Sequence, residues 1–174
     1  MKPNIRTCPL PADSAIHQYL PGASFVDSHC VDVDNTERTA LRHALNLMSM
    51  TPAWIDSLMG LRNRLVRMFG LKDLGRLTRI DLSRDDASYD VNDRVGIFTL
   101  IANRPDEVVL ADRDKHLDVY LTLNRSAMTP EGTRTITLST VVRTHNRLGK
   151  LYMLPVGPFH RVIVPITLKN IARF

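Results

Sequence analysis

Cysteine is scarce in this sequence, aromatic residues are few, and the last quarter of the chain lacks carboxylates altogether. Each shortage removes a class of function. The two thiols, Cys8 and Cys30, form no CxxC pair and no metal-ligand spacing, so neither a disulfide scaffold nor a thiolate metal centre is expected. The N-terminal run MKPNIRTCPLPADSA shows no apolar core for an export signal, so the same thiols point to a reducing cytoplasm. Aromatics make up 6% of the residues and are not interleaved with the basic ones, which leaves no stacking platform for nucleic acid. A glycine-rich phosphate loop is missing, and with it the dinucleotide fingerprint. So is a Gly-x-Ser-x-Gly turn, which removes support for serine–histidine–aspartate hydrolysis. Nothing calls for a cofactor, and no repeat or low-complexity tract interrupts the chain.

The missing carboxylates leave a charge step. Residues 1–131 carry a net −2. Residues 132–174 hold Arg134, Arg143, Arg147, Lys150, Arg161, Lys169 and Arg173 with no Asp or Glu, a net +7 within the overall +5. Solvated edges facing acidic loops are the plain account. An anionic partner is the sharper one: a phosphorylated or carboxylated ligand, a membrane surface or, weakest of the three, nucleic acid. Hydrophobic content of 44% and charged content of 24% over 174 residues describe one ordinary globular domain. Residues 1–22, with Pro3, Pro9, Pro11, Pro21 and Gly22, read as an extended arm with a turn of helix at 12–19. A single domain follows from 23 to 174.

That domain is organised around its C-terminal stretch, RTITLSTVVRTHNRLGKLYMLPVGPFHRVIVPITLKNIARF. Ile136, Leu138, Thr140 and Val142 fall on one side at period two, with Thr135, Thr137, Ser139, Arg143 and His145 on the other. The pattern predicts a strand with one packed and one solvated face. From Asn146, placed as an N-cap, the period turns helical, and Leu148, Tyr152, Phe159, Val162, Ile163 and Ile166 form an apolar arc. A helix over 147–173 would run roughly 40 Å at about 1.5 Å per residue, enough to cross six strands about 4.8 Å apart. Pro155, Pro158 and Pro165 should kink or interrupt it. A membrane span over 151–168 is disfavoured, because His160 and Arg161 sit in its middle, where a charge costs roughly 2.5–3.5 kcal/mol.

Upstream, alternation over 23–33 sets Phe25, Asp27, His29, Val31 and Val33 against Val26 and Cys30, a first strand polar enough for a sheet edge. Asn35 or Thr36 caps a short helix with Ala40, Leu41, Ala44 and Leu45 as its stripe. A second helix has Thr51 as N-cap, Pro52 at its first position and Gly70 after its last turn, and buries Trp54, Ile55, Leu58, Leu61, Leu65, Met68 and Phe69. Residues 71–94 read as a polar loop with a short strand near 79–82. An antiparallel meander comes next, with strands over 96–102, 108–111 and 116–123 and a loop over 124–132.

Strand, two short helices, meander and long terminal helix make an α+β chain whose order is similar to the helix-grip arrangement of the START-like superfamily, which includes the birch-pollen allergen. In that arrangement a curved antiparallel sheet wraps the last helix, and the two short helices close one end of a cavity. Three segments add a family. TPAWIDSLMGLRNRLVRMFGLK, DRDKHLDVYLTL and VVRTHNRLGKLYMLPVGPFHRVIV resemble the bacterial domain-of-unknown-function family 2867. The likeness covers most of the chain from Thr51 onward and is most specific from Thr144 to Tyr152 and at Pro-Phe-His 158–160. That family has no established activity, so the resemblance implies a fold and no reaction. Some members resemble an appendage to a nucleotide-binding, reductase-like domain, and no such domain is read in this chain.

One polar set merits a chemical reading. His116 and Asp118 share a face of one strand, and Arg143 and His145 share a face of the next. With Leu123 opposite Arg134, His116 falls near Val141, Asp118 near Ser139 and Arg143 beside Asp114. The plain reading is a solvated outer face with a cross-strand ion pair. Turned inward by a bulge, the His–Asp pair would serve as base and orienting carboxylate, with Arg143 holding an anion. Nothing in the spacing of His116, Asp118 and His145 requires a metal. His160 reads as a partly buried, hydrogen-bonded histidine.

The preferred reading is a binding module for an apolar or amphiphilic small molecule, compatible with an anionic group. Its cavity between sheet and C-terminal helix would be lined by Trp54, Phe98, Leu100, Leu117, Val119, Leu121, Ile136, Leu138, Tyr152 and Phe159. One alternative is an enzyme of cyclase, dehydratase or hydrolase type on the same scaffold, using His116, Asp118, Arg143 and His145. Another is an interaction protein with a filled core. A homodimer is compatible with each.

Overall fold

A computed structural model describes residues 4–34, 37–50, 55 and 80–171. Among these, seven antiparallel strands form one curved sheet: β1 (Ile5–Thr7), β2 (Phe25–Asp34), β3 (Arg94–Val95), β4 (Phe98–Asn103), β5 (Glu107–Arg113), β6 (Leu117–Arg125) and β7 (Thr133–Thr144). Their spatial order is β1-β2-β7-β6-β5-β4-β3. Helix α1 (Ala40–Ser49) and the C-terminal helix α2 (Arg147–Ile171) pack on the same face, called the inner face below. The arrangement is α+β with the helix-grip order of elements. The second short helix, expected at 51–70, lies outside the described residues except for Ile55, which is helical and buried.

Helix α1 starts later than its sequence suggested. Thr39, rather than Asn35 or Thr36, is the cap, its hydroxyl accepting from the Arg42 amide at 3.0 Å. The expected stripe of Ala40, Leu41, Ala44 and Leu45 is buried throughout. No strand forms at 80–82. There the Asp81 carboxylate accepts from the Ser83 amide at 2.9 Å, a local turn that competes with strand pairing.

The β6–β7 hairpin corrects the expected register by four residues. Leu123 opposes Leu138 instead of Arg134, and Asp118 opposes Arg143. The reversal sits two residues later than supposed, with Pro130 in the turn and Gly132 at φ 79, where the Gly132 amide donates to the Thr129 carbonyl at 3.0 Å.

Inner-face positions follow the alternation read from the sequence. Val31 and Val33 of β2, Leu123 of β6 and Ile136 and Leu138 of β7 meet α1 and the Val164, Leu168 and Ile171 side of α2. The outer face was expected to be solvated, and it is not. The N-terminal arm supplies edge strand β1 and then a 3-10 helix at Ala15–Tyr19. Ile16 and Tyr19 pack there on Val109, Ala111, Tyr120 and Val141. Glu107, buried, anchors that helix by accepting from the Ser14 hydroxyl at 2.6 Å and the Ala15 amide at 3.0 Å.

Helix α2 runs unbroken through Pro155, Pro158 and Pro165. Its buried face differs from the expected arc. Gly149, Gly157, Val164, Thr167, Leu168 and Ile171 face the protein, while Phe159 and Val162 point to solvent. Small residues decide the seating. A Cβ on Gly149 would stand 2.2 Å from the His116 carbonyl oxygen, and one on Gly157 would stand 3.6 Å from the Phe25 ring. Only a glycine lets the helix start lie that close to the chain entering β6.

Candidate functional site

The polar set singled out in the sequence separates into two structural fastenings. Asp118 and His145 do meet, with His145 Nε2 3.1 Å from Asp118 Oδ1, and the Tyr120 hydroxyl donates to Asp118 Oδ2 at 3.3 Å. Arg143, opposite Asp118, spends its guanidinium on the carbonyls of Tyr19 at 2.8 Å and Gln18 at 3.0 Å. It also lies near the faces of Tyr19 and Tyr120, whose rings stack at 3.8 Å. It closes the C-terminal end of the 3-10 helix, where carbonyls want a cation. His116 turns elsewhere, its Nδ1 accepting from the Asn146 side-chain amide at 2.8 Å. Asn146 in turn accepts from the Gly149 amide at 3.0 Å, which makes it the N-cap expected of α2. Asp118, Arg143 and His145 therefore share one patch around Tyr120, and His116 stands apart from it. Among the described residues no group of His, Cys, Asp and Glu is disposed to hold a metal.

The residues assigned to an apolar cavity divide as well. Phe98, Leu100, Leu117, Ile136 and Leu138 are buried, and Val119, Leu121 and Tyr152 are half-buried. Trp54 lies outside the described residues. Phe159 is exposed on the outward side of α2 and is corrected as a cavity floor, because the glycines turn the opposite side to the sheet.

A polar cluster that the sequence did not assemble lies where α2 crosses β2. His160 Nδ1 is 3.0 Å from Asp27 Oδ2, and its Nε2 is 3.3 Å from the Thr140 hydroxyl. His29 Nδ1 stands 3.4 Å from the same Asp27 oxygen. The Phe25 ring meets the His160 imidazole edge-on at 5.5 Å. Burial pushes the Asp27 carboxyl up, but the hydrogen bond from His160 and the charges of His29, His160 and Arg161 outweigh it and hold it below its ordinary value. Asp27 and His29 continue the face of Val31 and Val33 on β2. Two ionisable groups on a strand face otherwise committed to the core were the available signal.

This cluster borders an opening in the sheet edge. Strand β1 covers β2 only opposite residues 29–31, and the arm then leaves after the Cys8 amide donates to the Ser28 carbonyl at 3.2 Å. Between the departing arm (residues 7–10), β2 (residues 26–29) and Arg161 of α2 lies a cleft of about 670 Å³. Cys8 forms part of its wall, 3.6 Å from the Ser28 hydroxyl. Behind it, burial and the neighbouring Cys8 push the Cys30 thiol up to about 12, so it stays protonated and unreactive at neutral pH. The cleft thus offers a guanidinium, an imidazole paired with the Asp27 carboxylate that also lines it, and the apolar side chains of Leu10 and Val26.

Fold and cleft together define an α+β protein of helix-grip arrangement with a polar cluster between sheet and terminal helix. The chain belongs to the family described as protein of unknown function (DUF2867), whose sequence model matches residues 19–167. A search of curated proteins finds no match.

Proposed function

We propose that the protein binds a small amphiphilic molecule carrying an acidic group, seated between the sheet edge and α2 with its acid toward His29 and Arg161. One observation carries this reading. His29, its side chain 8% exposed and its Nδ1 3.4 Å from the Asp27 carboxylate, lines the cleft together with Arg161. Arg161 across the cleft supplies the planar fork suited to a carboxylate or phosphate. The excess of cations after residue 131 adds a favourable field. Similarity of element order to START-like proteins fits a ligand held between sheet and last helix, and two free thiols fit a reducing cytoplasm.

Thermal shift and calorimetric titration with medium-chain carboxylates, alkyl phosphates and their neutral alcohol and amide counterparts test the proposal. The acids should raise the melting temperature, by about 2.7 kcal/mol of stabilisation at a hundred times Kd. Arg161→Ala should weaken them selectively. Equal binding of the neutral counterparts, or unchanged affinity in Arg161→Ala, would contradict the reading.

A second reading rests on the same pair. Asp27 beside His29 is the arrangement of a general base with its orienting carboxylate. If the bound molecule is also turned over by cyclisation, dehydration or hydrolysis, His29 is the base in this cleft. Loss of turnover with retained binding in His29→Gln would support it.

A further inference from the structure

The outward face of α2 is apolar. Leu151, Leu154, Phe159 and Val162 are 62%, 70%, 55% and 56% exposed, and Pro155 and Pro158 stand exposed among them. Residues 151, 154, 158 and 162 follow at steps of three and four, so they form one stripe along the helix. Single exposed apolar side chains are ordinary, but a contiguous stripe is a contact surface. Cations frame it: Arg147 at its start, Lys150 and Arg161 beside it and Lys169 at its end, all exposed. No carboxylate occurs anywhere in residues 132–174.

We infer that this face docks on an anionic lipid bilayer, with α2 lying parallel to the surface. The stripe enters the boundary between headgroups and acyl chains, and Arg147, Lys150 and Lys169 extend to lipid phosphates. Charge selects this occupant over a second copy of the chain, since two such faces would bring their cations together with no acidic side chain to offset them. A span is incompatible with the packing, because Val164, Leu168 and Ile171 of the same helix are sealed in the protein core. The prolines suit an interfacial position. Pro155, Pro158 and Pro165 leave the carbonyls of Leu151, Leu154 and Arg161 without their helical donors, and all three residues are on the exposed side, where water or headgroups can serve.

Vesicle co-sedimentation of the full chain tests the inference. Vesicles of phosphatidylcholine containing phosphatidylglycerol should bring the protein down at low salt, and pure phosphatidylcholine vesicles should not. Lys150→Gln and Arg147→Gln should each weaken partitioning about five-fold, and the pair Leu154→Glu with Val162→Glu should abolish it. All four positions are exposed, so the melting temperature should not change. None lines the cleft, so stabilisation by acidic ligands should persist in every variant, and failure here leaves the ligand proposal standing. Four results would overturn the inference: no sedimentation with anionic vesicles, equal sedimentation with neutral ones, full retention by the double Glu variant, or a lipid-free dimer that Leu154→Glu dissociates. The last would assign the face to a second copy.

Discussion

His160 of the C-terminal helix meets Asp27 of the second strand at 3.0 Å, across 133 residues of sequence. The contact fastens α2 to the inner face of the sheet at the point where the helix surface changes from glycine to large side chains. It also fixes the carboxylate that backs His29. Stability and the proposed binding site thus share one residue, Asp27.

Removing the histidine should expose that dependence. His160→Ala removes the hydrogen bond that His160 makes to the buried Asp27 carboxylate, and a hydrogen bond to a charged group is worth about 1.5–3 kcal/mol. His160 is partly exposed, so a loss near the lower figure, about 1.5 kcal/mol, is expected in urea denaturation. Asp27→Asn combined with His160→Ala should recover part of it, since the uncompensated charge is gone.

Two glycines of one helix should respond in opposite directions. Gly149→Ala puts a methyl group into the His116 carbonyl and should destabilise by at least about 2 kcal/mol. At Gly157 the new methyl meets Phe25 at ordinary contact distance, and the gain in helix propensity should stabilise by up to about 1 kcal/mol. Matched thermal melts of the two variants check the seating of α2.

Leu138→Asp should unfold the domain, because it places a carboxylate among Ile136, Leu123 and the inner core at a cost of several kcal/mol. Phe159→Ala should cost less than about 1 kcal/mol, since that ring is mostly in solvent. A circular-dichroism melt distinguishes the two outcomes directly.

These contrasts show what the sequence made legible. Period-two alternation placed Leu138 and Val31 on the inner face without help, because a strand has only two faces to choose between. Helix α2 was harder. Its largest apolar residues suggested a buried arc, yet the packed side is marked by Gly149, Gly157 and Thr167, where close approach counts for more than hydrophobic area. The outer face of β7 looked solvated because its cover, Ile16 and Tyr19, comes from an arm more than a hundred residues earlier in the chain. The candidate site failed to show for the same reason. Asp27 and His29 share a face of β2, but only the crossing of α2 over β2 brings His160 to them.

Acid should weaken the fold through His43. Burial, aided by the charges of Arg38 and Arg125, lowers this imidazole from 6.5 to about 4. The unfolded chain then takes up a proton before the folded one does. His43 therefore opposes folding progressively as pH falls from 6.5 to 4, by about 3 kcal/mol at most, and adds no further slope below that. Asp27, held below its ordinary value, contributes stability that is lost only at lower pH, as pH falls toward its folded value. His43→Leu should flatten the stability profile between pH 6.5 and 4 while leaving the more acidic transition in place.

The most direct measurement of the ligand proposal is a nuclear magnetic resonance titration with a medium-chain carboxylate, following the histidine imidazoles and backbone amides together. Saturable shifts are expected at the His29 and His160 rings and at the amides of residues 7–10 and 26–29, with weaker binding in Arg161→Ala. Shifts centred instead on His145 and Tyr120, or none at saturating ligand, would contradict it.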